Sequence, residues 1–441
     1  MRYIGKYKVL GLLGRGGMSR VYKVLGPDSK QLLALKLLWP QELLASQLGQ
    51  EELQRRFLAE AKAMRSIEHP HISQILDWGE DCGLTYMVQE YLCLNLSLLI
   101  GEARQVELPT RALSPLKALD IATQTLLGLQ SLHQAGIVHR DIKPANLLLS
   151  LQEEIKIIDL GLSKLYGEIQ NNPPGMLVGS PYYAAPEQLQ DPELAGPSAD
   201  LYSLAVVLYR MITAQLPDQP RRLSAQHSLL GEQWTRFLQT ALAQDPGQRF
   251  DQAQDMLQAV QGLKQDWEKR RQEVCRMPEP QNYTWEPGGR PLRKEPLFTG
   301  SSQTWTGAHL NSLLQPRGYL ENKFSRHQDG ILDSATGLIW GYAVSATTLS
   351  QQEALDFAAR MATDAAPWRL PTLEELLSLL QPRNSLEEVC SPPLQHLKGV
   401  SRLWSADQQT RSKGWILDLD QGAALAQDKH CRFQVLPVRD A

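Results

Sequence analysis

The sequence predicts an α+β chain divided into lobes, and three observations carry that prediction. Residues 1 to about 90 read as short apolar strands with one helix among them. From about 110 to 264 the pattern turns mainly helical. A Pro- and Gly-containing stretch then gives way to about 150 residues rich in Trp, Gly and short strands.

The strands of the first part are the apolar runs at 7–14, 20–26, 31–38 and 83–92, each bounded by Gly, Pro, Asp or Ser. Between the third and fourth, residues 51–67 carry Leu53, Phe57, Ala61, Met64 and Ile67 every three or four positions, the spacing of an amphipathic helix. Residues 114–136 form a second helix, opened by Ser114 and Pro115 and closed at Gly136. The apolar run LYSLAVVLYRMI at 201–212 is too short to cross a bilayer and reads as a buried core helix. A linker is expected at 265–286, where a charged helix end meets Pro, Gly and polar residues. Beyond it, Ser350 with Glu353 and Thr372 with Glu375 have the spacing of capping boxes and open two further helices.

Bulk properties narrow the class. A chain of 441 residues suggests two or three domains. With 42% hydrophobic and 21% charged residues and a formal charge of −3, nothing calls for nucleic acid or an anionic membrane as a partner. Five widely spaced cysteines (Cys82, Cys93, Cys275, Cys390, Cys431) argue against a disulfide framework or a CxxC metal site, so reduced thiols are expected. Neither a signal peptide nor a membrane-spanning run is visible, which makes a soluble, cytoplasmic protein the expectation.

Chemistry concentrates in four places. LLGRGGMSRVYK (12–23) is a Gly-rich turn between strands, where backbone amides can approach phosphate oxygens. Lys36 sits near the end of a strand, and Glu60 on the first helix can pair with it. IVHRDIKPANLLLS (137–150) sets His139, Arg140, Asp141, Lys143 and Asn146 between apolar flanks, so their burial must be compensated by partners. IKIIDLG (155–161) is an apolar strand ending in Asp159 and Gly161. Asn146 and Asp159 can hold a hard cation together with nucleotide phosphates. Asp141 is left to accept a proton, and Lys143 to neutralise a transferring phosphoryl group.

In this order the motifs resemble the eukaryotic-like Ser/Thr protein kinases, the bacterial branch in particular, over residues 3–264. The resemblance implies a bilobal protein kinase fold at 1–264, with an N-lobe at 1–91 and a C-lobe at 92–264. It implies that Gly14, Gly16, Gly17 and Val21 cover ATP, that Ala34, Glu90, Tyr91 and Leu92 line its base, and that Lys36, held by Glu60, meets the α and β phosphates. Asp141 would be the base, Lys143 would point to Ser/Thr substrates, and Asn146 with Asp159 would bind Mg2+. Glu187 would pair with Arg249, Asp200 would brace the 139–146 loop, and His139 would pack inward. Three positions depart from the pattern conservatively: Ser19 for a third glycine, Leu160 for Phe, and Ser180 for Thr. A fourth departure is larger, because the segment 159–187 contains no threonine. Either activity does not depend on phosphorylation there, with Glu168 as a fixed negative charge, or Ser163, Tyr166, Tyr182 or Tyr183 takes the phosphate.

The third region carries DSATGLIW, WRLPTLEEL, WSAD and a final VR, and resembles a bacterial domain first described at the C-terminus of a collagen-like adhesin. That resemblance implies a C-terminal α+β domain at 287–441, similar to C-type-lectin-like and sulfatase-modifying-factor folds. Trp340, Trp368, Trp404 and Trp415 are expected in its core rather than in a ligand site. Asp333 and Asp418 are expected in solvated turns rather than around Ca2+, and Cys390 and Cys431 lack any activating neighbour. The expected function is phosphate transfer from ATP to Ser/Thr hydroxyls of proteins, with a C-terminal module for an unidentified ligand or partner. The alternative is an ATP-binding pseudokinase scaffold that presents that module.

Overall fold

In the computed structural model, residues 3–16, 18–27, 31–42, 46, 49–102, 105–160, 164–165, 180–217, 230–274, 284–286, 292–300, 310–361, 367–382, 397 and 399–441 are described. They form two compact units: Met1–Ala112 with Leu116–Lys269, and Arg270–Ala441 with Leu113–Pro115. Gly17, Gly161, Ser163, Tyr166, Glu168, Cys275 and Cys390 lie outside the described residues.

The first unit begins with β1 (Tyr3–Ile4), β2 (Tyr7–Arg15), β3 (Ser19–Leu25), β4 (Leu32–Leu38), helix α1 (Gln50–Ser66), β5 (Ile75–Asp81) and β6 (Leu84–Glu90). The strands make an antiparallel sheet in the order β1-β2-β3-β4-β6-β5. One face buries Tyr7, Val24, Leu33, Leu35, Tyr86 and Val88. Strand alternation sends Ala34 and Lys36 to the other face. There Lys36 lies opposite Val21 on β3 and Met87 on β6. Helix α1 matches the expected span and buries Leu53, Phe57, Ala61 and Met64, and with them Glu60.

The remainder of this unit is mainly helical. After β7 (Leu94–Asn95) and the short α2 (Leu96–Ile100) comes α3 (Pro115–Gln134). Gly136, at φ 75°, takes the left-handed conformation that ends α3 and turns the chain into β8 (Ile137–Val138). Next are β9 (Leu147–Leu149), β10 (Ile155–Ile157), β11 (Lys164–Leu165), α4 (Pro186–Gln190) and α5 (Pro197–Thr213). Helix α5 contains the apolar run read as a core helix and is buried along most of its length. Two more helices follow, α6 (Glu232–Ala241) and α7 (Ala253–Val274). The expected linker start at 265 falls inside α7. Residues 265–274 keep a helix-favouring composition, and the fully buried Trp267 anchors the helix past that point.

The second unit contains β12 (Thr284–Glu286), β13 (Gly318–Leu320), β14 (Phe324–His327), β15 (Gly330–Asp333), β16 (Leu338–Trp340), α8 (Gln351–Arg360), α9 (Leu373–Leu377), β17 (Arg402–Gln408), β18 (Lys413–Asp418), β19 (Ala423–Asp428) and β20 (Val438–Asp440). Its larger sheets run β14-β15-β16-β20 and β17-β18-β19. Both capping boxes form: Ser350 and Glu353 close α8, Thr372 and Glu375 close α9. Trp340, Trp404 and Trp415 are buried to within 2% and Trp368 to within 4%, as core residues should be. A tryptophan buried to this degree contributes about 4–6 kcal/mol of transfer free energy as an upper estimate. Gly330 is obligatory, because a Cβ there would lie 2.3 Å from the Trp340 carbonyl oxygen on the neighbouring strand.

Two expectations fail here. Asp333 and Asp418 are fully buried rather than solvated. Asp333 accepts from the Asn322 amide, the Thr336 hydroxyl and the backbone of Lys323 and Ala335, and Asp418 from Arg402 and the Gln421 backbone. Turn-forming carboxylates are drawn inward when backbone amides supply enough donors. The cysteines also differ: Cys82 is free and exposed, whereas Cys93 in the first unit and Cys431 in the second are each engaged in a disulfide of their own. Spacing along the chain does not report which thiols meet in space.

Asp407 is one of the heavily used carboxylates of the second unit. Fully buried, it takes both arms of Arg293 at 2.9 and 2.8 Å and the backbone N–H of Leu297 and Leu373 at 2.6 and 2.7 Å. Asp407→Ala removes both bonds to the Arg293 terminal nitrogens and leaves two backbone amides without this acceptor, so the unfolding free energy of this unit should fall by about 3–5 kcal/mol. Urea titration of the full chain, followed by tryptophan fluorescence, measures the loss.

Candidate phosphotransfer site

Helix α1 and strand β4 bring the first pair together. Lys36 is 8% exposed and its Nζ lies 2.8 Å from Glu60 Oε1 and 2.7 Å from Asp159 Oδ1. The pairing of Lys36 with Glu60 that the motif order implied is thus present, as a buried ion pair. Burial alone would pull the Lys36 ammonium down, but the carboxylates of Asp159 and Glu60 outweigh it and hold it above the usual lysine range. Burial pushes Glu60 up to about 7, against the pull of Lys36.

The 139–146 loop is built on Asp200 of α5, which is fully buried. Its Oδ2 accepts from the His139 backbone at 2.9 Å and meets His133 Nε2 at 2.8 Å, and its Oδ1 accepts from the Arg140 backbone at 2.7 Å. His139 does pack inward: it is fully buried, and its Nε2 lies 3.0 Å from the Ile158 carbonyl. Arg140, at φ 63°, is strained for a residue with a side chain, and so is Asp159 at φ 68°. Both flank the site, and both are held by bonds from neighbouring elements. Gln188, for example, donates to the Arg140 carbonyl at 2.7 Å.

Asp141, the expected base, accepts four hydrogen bonds. Its Oδ2 accepts from Lys143 at 2.7 Å and Asn146 Nδ2 at 2.9 Å. Its Oδ1 accepts from the Ser180 amide at 3.1 Å and the Ser180 hydroxyl at 3.2 Å. Four donors fill the lone-pair sites of one carboxylate. Lys143 also reaches Ser180 Oγ at 2.9 Å, so the serine that stands for threonine keeps its contact with the loop. The amide nitrogen of Asn146 is committed to Asp141, which leaves its oxygen as the atom that can face a cation. With the Asp159 carboxylate this gives a pair of hard oxygen donors.

Gly14 and Val21 are paired across β2 and β3, and nothing lies within 4 Å of where a Gly14 side chain would start. The Gly16 amide donates to the Ser19 carbonyl at 2.8 Å, closing the turn between them. Ala34 is buried on β4, Glu90 ends β6 with its carboxylate 3.4 Å from Lys156, and Leu92 is half-buried just beyond. Farther from these groups, Arg249 holds Glu187 through two bonds of 2.8 and 2.7 Å, as expected. Sequence reasoning missed His133, Gln188 and the Ser180 amide. Only His133 left a trace, as an ionisable residue in the last turn of the helix that runs into the 137–150 stretch.

A buried lysine–carboxylate pair, a carboxylate braced from a core helix and an Asn–Asp oxygen pair define a two-lobed phosphotransferase fold. The comparisons with known proteins agree. The protein kinase domain model matches residues 7–277, and the chain belongs to the protein kinase family. Residues 329–439 match the Lcl C-terminal domain. A probable serine/threonine-protein kinase, pknA2 of Bifidobacterium longum, is 34% identical over 227 residues, covering 51% of this chain and 29% of that protein. The serine/threonine-protein kinase PrkC of Bacillus subtilis is 30% identical over 270 residues, covering 58% of this chain and 40% of that protein. The chain thus spans well under half the length of these two relatives. The crystal structure of the Mycobacterium tuberculosis PknI kinase domain, a double mutant, is 26% identical, with a TM-score of 0.44 over 59% of this chain and 96% of that one. Among the described residues, no helix is long and apolar enough to cross a membrane.

Burial raises the proton affinity of Asp200, but hydrogen bonds and charge from His133 and His139 outweigh it and set its carboxyl below the ordinary 3.8. A depressed folded pKa gives stability that is complete above the unfolded value and fades as pH falls through the folded one. Asp200→Asn should therefore be less stable than wild type at pH 7, and the gap should narrow below about pH 4. Denaturant titrations across that range test the sign.

Proposed function

We propose that this chain is a Ser/Thr protein kinase that transfers the γ-phosphate of ATP to protein hydroxyls. The observation that carries the reading is the joint presence of the Lys36–Glu60 pair and the braced Asp141–Lys143–Asn146 loop. A scaffold that merely held nucleotide would need neither the Asp141 carboxylate nor the lysine beside it.

Lys36 is assigned to the α and β phosphates, with Glu60 holding its ammonium in place. Asp159, which meets Lys36 through Oδ1, and Asn146 would together hold Mg2+, for which two hard oxygens are suited. The bound cation would shield the negative charge of the phosphates. Gly14, Gly16, Gly17 and Val21 are assigned to the cover over the phosphates. Ala34, Glu90 and Leu92 are assigned to the base, with Tyr91 beside them.

Asp141 receives the proton of the substrate hydroxyl as its oxygen attacks the γ-phosphorus and the bond to the β–γ bridging oxygen breaks, releasing ADP. Because all four acceptor sites of Asp141 are filled, the hydroxyl must displace a donor. The Ser180 hydroxyl, at 3.2 Å the longest of the four, is the one to go. Lys143 then stabilises negative charge on the transferring group, the role by which it favours Ser and Thr acceptors. Arg249 and Glu187 keep the wall after Ser180 in place.

We assign the chain through the end of α7 at Val274 to the kinase and 287–441 to a module for a ligand or protein partner. Protein substrates and a cytoplasmic, ATP-containing compartment go with this reading. Asp141→Asn keeps the shape of the side chain but loses the base, so peptide phosphorylation should fall about 10²–10⁴-fold with ATP affinity largely kept. Transfer from labelled ATP with Mg2+ measures this. Equal incorporation in wild type and variant would defeat the assignment.

A further inference from the structure

In the second unit, β17 and β19 end where β18 begins, and the turns there carry a group of cations. The turn at 409–413 is closed by its own backbone: the Gln409 and Thr410 amides donate to the Lys413 carbonyl at 2.9 and 3.1 Å. The Lys429 amide donates to the Ser412 carbonyl at 3.0 Å, which brings the turn after β19 against it. Arg411, Lys413 and Lys429 are therefore gathered around one backbone hydrogen bond. Arg411 and Lys413 are exposed and Lys429 is half-buried. None of the three has an ion-pair partner among the described residues. The Lys429 ammonium donates to a neutral group, the Gln408 side-chain oxygen, at 2.6 Å. Burial draws it below the usual lysine range, with no carboxylate to offset that cost. The acids at this end are committed. Asp428, opposite Lys413 in the ladder, lies 2.9 Å from His430 Nδ1, Glu353 lies 2.9 Å from Arg432, and the buried Asp407 holds Arg293. The Thr410 and Ser412 hydroxyls, 3.4 Å apart, add two small donors beside the cations.

Gln408 joins this end to an apolar strip. Its amide donates to the Leu297 carbonyl and its carbonyl accepts from the Thr299 amide, both at 2.9 Å, so residues 297–299 run beside β17. In that pairing the Phe298 amide and carbonyl point away from β17, and neither has a partner among the described residues. The Phe298 side chain is 60% exposed and Leu297 41%. A free anion would use the cations and leave the strip idle. An extended peptide with one phosphorylated side chain uses both, its backbone on the open edge and its phosphate among the cations.

We propose that this end of the second unit is a docking surface for a phosphorylated Ser or Thr segment of a protein, with Arg411, Lys413 and Lys429 receiving the phosphate and residues 297–299 the flanking chain. The choice of a phosphoprotein rests on the kinase reading, because that reaction makes the group the cations fit. The surface itself does not depend on it. A phosphate near −2 in charge meets three cations here, two of them free of competing carboxylates. The module would hold what the kinase produces. Because both belong to one chain, even a weak site retains a product made beside it.

The test uses the full chain, treated with phosphatase, freed of it and kept without ATP. It is titrated into a fluorescein-labelled Ala-Phe-Ser-Leu-Ala peptide, phosphorylated or not, and binding is read by anisotropy. The phosphorylated form should bind about 10-fold tighter, and the advantage should shrink as salt rises. Arg411→Gln combined with Lys413→Gln, both at exposed positions, should remove most of that advantage, and Lys429→Gln should lower it about 5-fold. Arg326→Gln, exposed on β14, should leave it unchanged. Equal affinity for the two peptides overturns the proposal. So does a double variant that binds like wild type, or an Arg326→Gln variant that loses as much. Inorganic phosphate or a single-stranded oligonucleotide that displaces the phosphopeptide at equal concentration overturns it too. Phosphopeptide binding by a wild type that transfers no phosphate from ATP supports the surface and removes only the kinase reading.

Discussion

A carboxylate with no solvent contact has to be satisfied from inside the protein, and Asp200 is satisfied by the backbone of the loop that carries the proposed chemistry. Two successive amides, from His139 and Arg140, donate to its two oxygens. Two such bonds fix both the position and the direction of the chain. They hold Arg140 in the left-handed region, where its side chain costs about 1–3 kcal/mol. The next side chain, Asp141, accepts from Lys143, Asn146 and Ser180. The brace is a helix, α5, buried along most of its length, so the reference point is among the stiffest parts of the unit.

From that point the site is assembled by reach. Asp141 touches Lys143, Asn146 and Ser180, which come from its own loop and from the end of the segment that follows β11. Lys36 is brought in from the sheet and Glu60 from α1, and they meet Asp159 at the end of β10. The proposed centre therefore depends on three elements arriving together, and only one of them is braced by the core helix. A site of this kind can be opened by moving α1, because Lys36 is tied to it by one ion pair. Loosening the 139–146 loop would require removing a buried carboxylate with three partners.

What was legible in the sequence follows from how local each signal is. Helix α1, α3 and the two capping boxes were readable because periodicity and caps are set by residues three or four apart. The Lys36–Glu60 and Glu187–Arg249 pairs are distant in sequence, and they were found through motif order, not through any property of those residues alone. The occupancy of Asp141 was not legible. Four donors converge on it, and two of them come from Ser180, whose position depends on how the chain returns. The end of α7 was misplaced because charged residues after 264 looked like an exit, while Trp267 holds the helix to the core. The disulfide state of Cys93 and Cys431 was hidden for the related reason that proximity in space has no signature in a single sequence.

The second unit repeats the device of the first with different chemistry. Asp407, Asp418 and Glu375 are all fully buried, and each is matched by an arginine: Arg293, Arg402 and Arg369. Two of these carboxylates also accept from backbone amides at the start of α9. Glu375 closes the Thr372 cap, and Asp407 takes the Leu373 amide. The helix start is thereby tied to β17, which carries Asp407, and to the chain before it through Arg293. A buried ion pair adds little net stability over an apolar pair of the same size, but it tolerates only one arrangement of its partners. In this unit those pairs tie together elements far apart in sequence and so help fix their registration. The carboxylates read from sequence as solvated turns are thus already engaged by the fold: Asp333 and Asp418 are buried and spend their oxygens on neighbouring side chains and backbone amides.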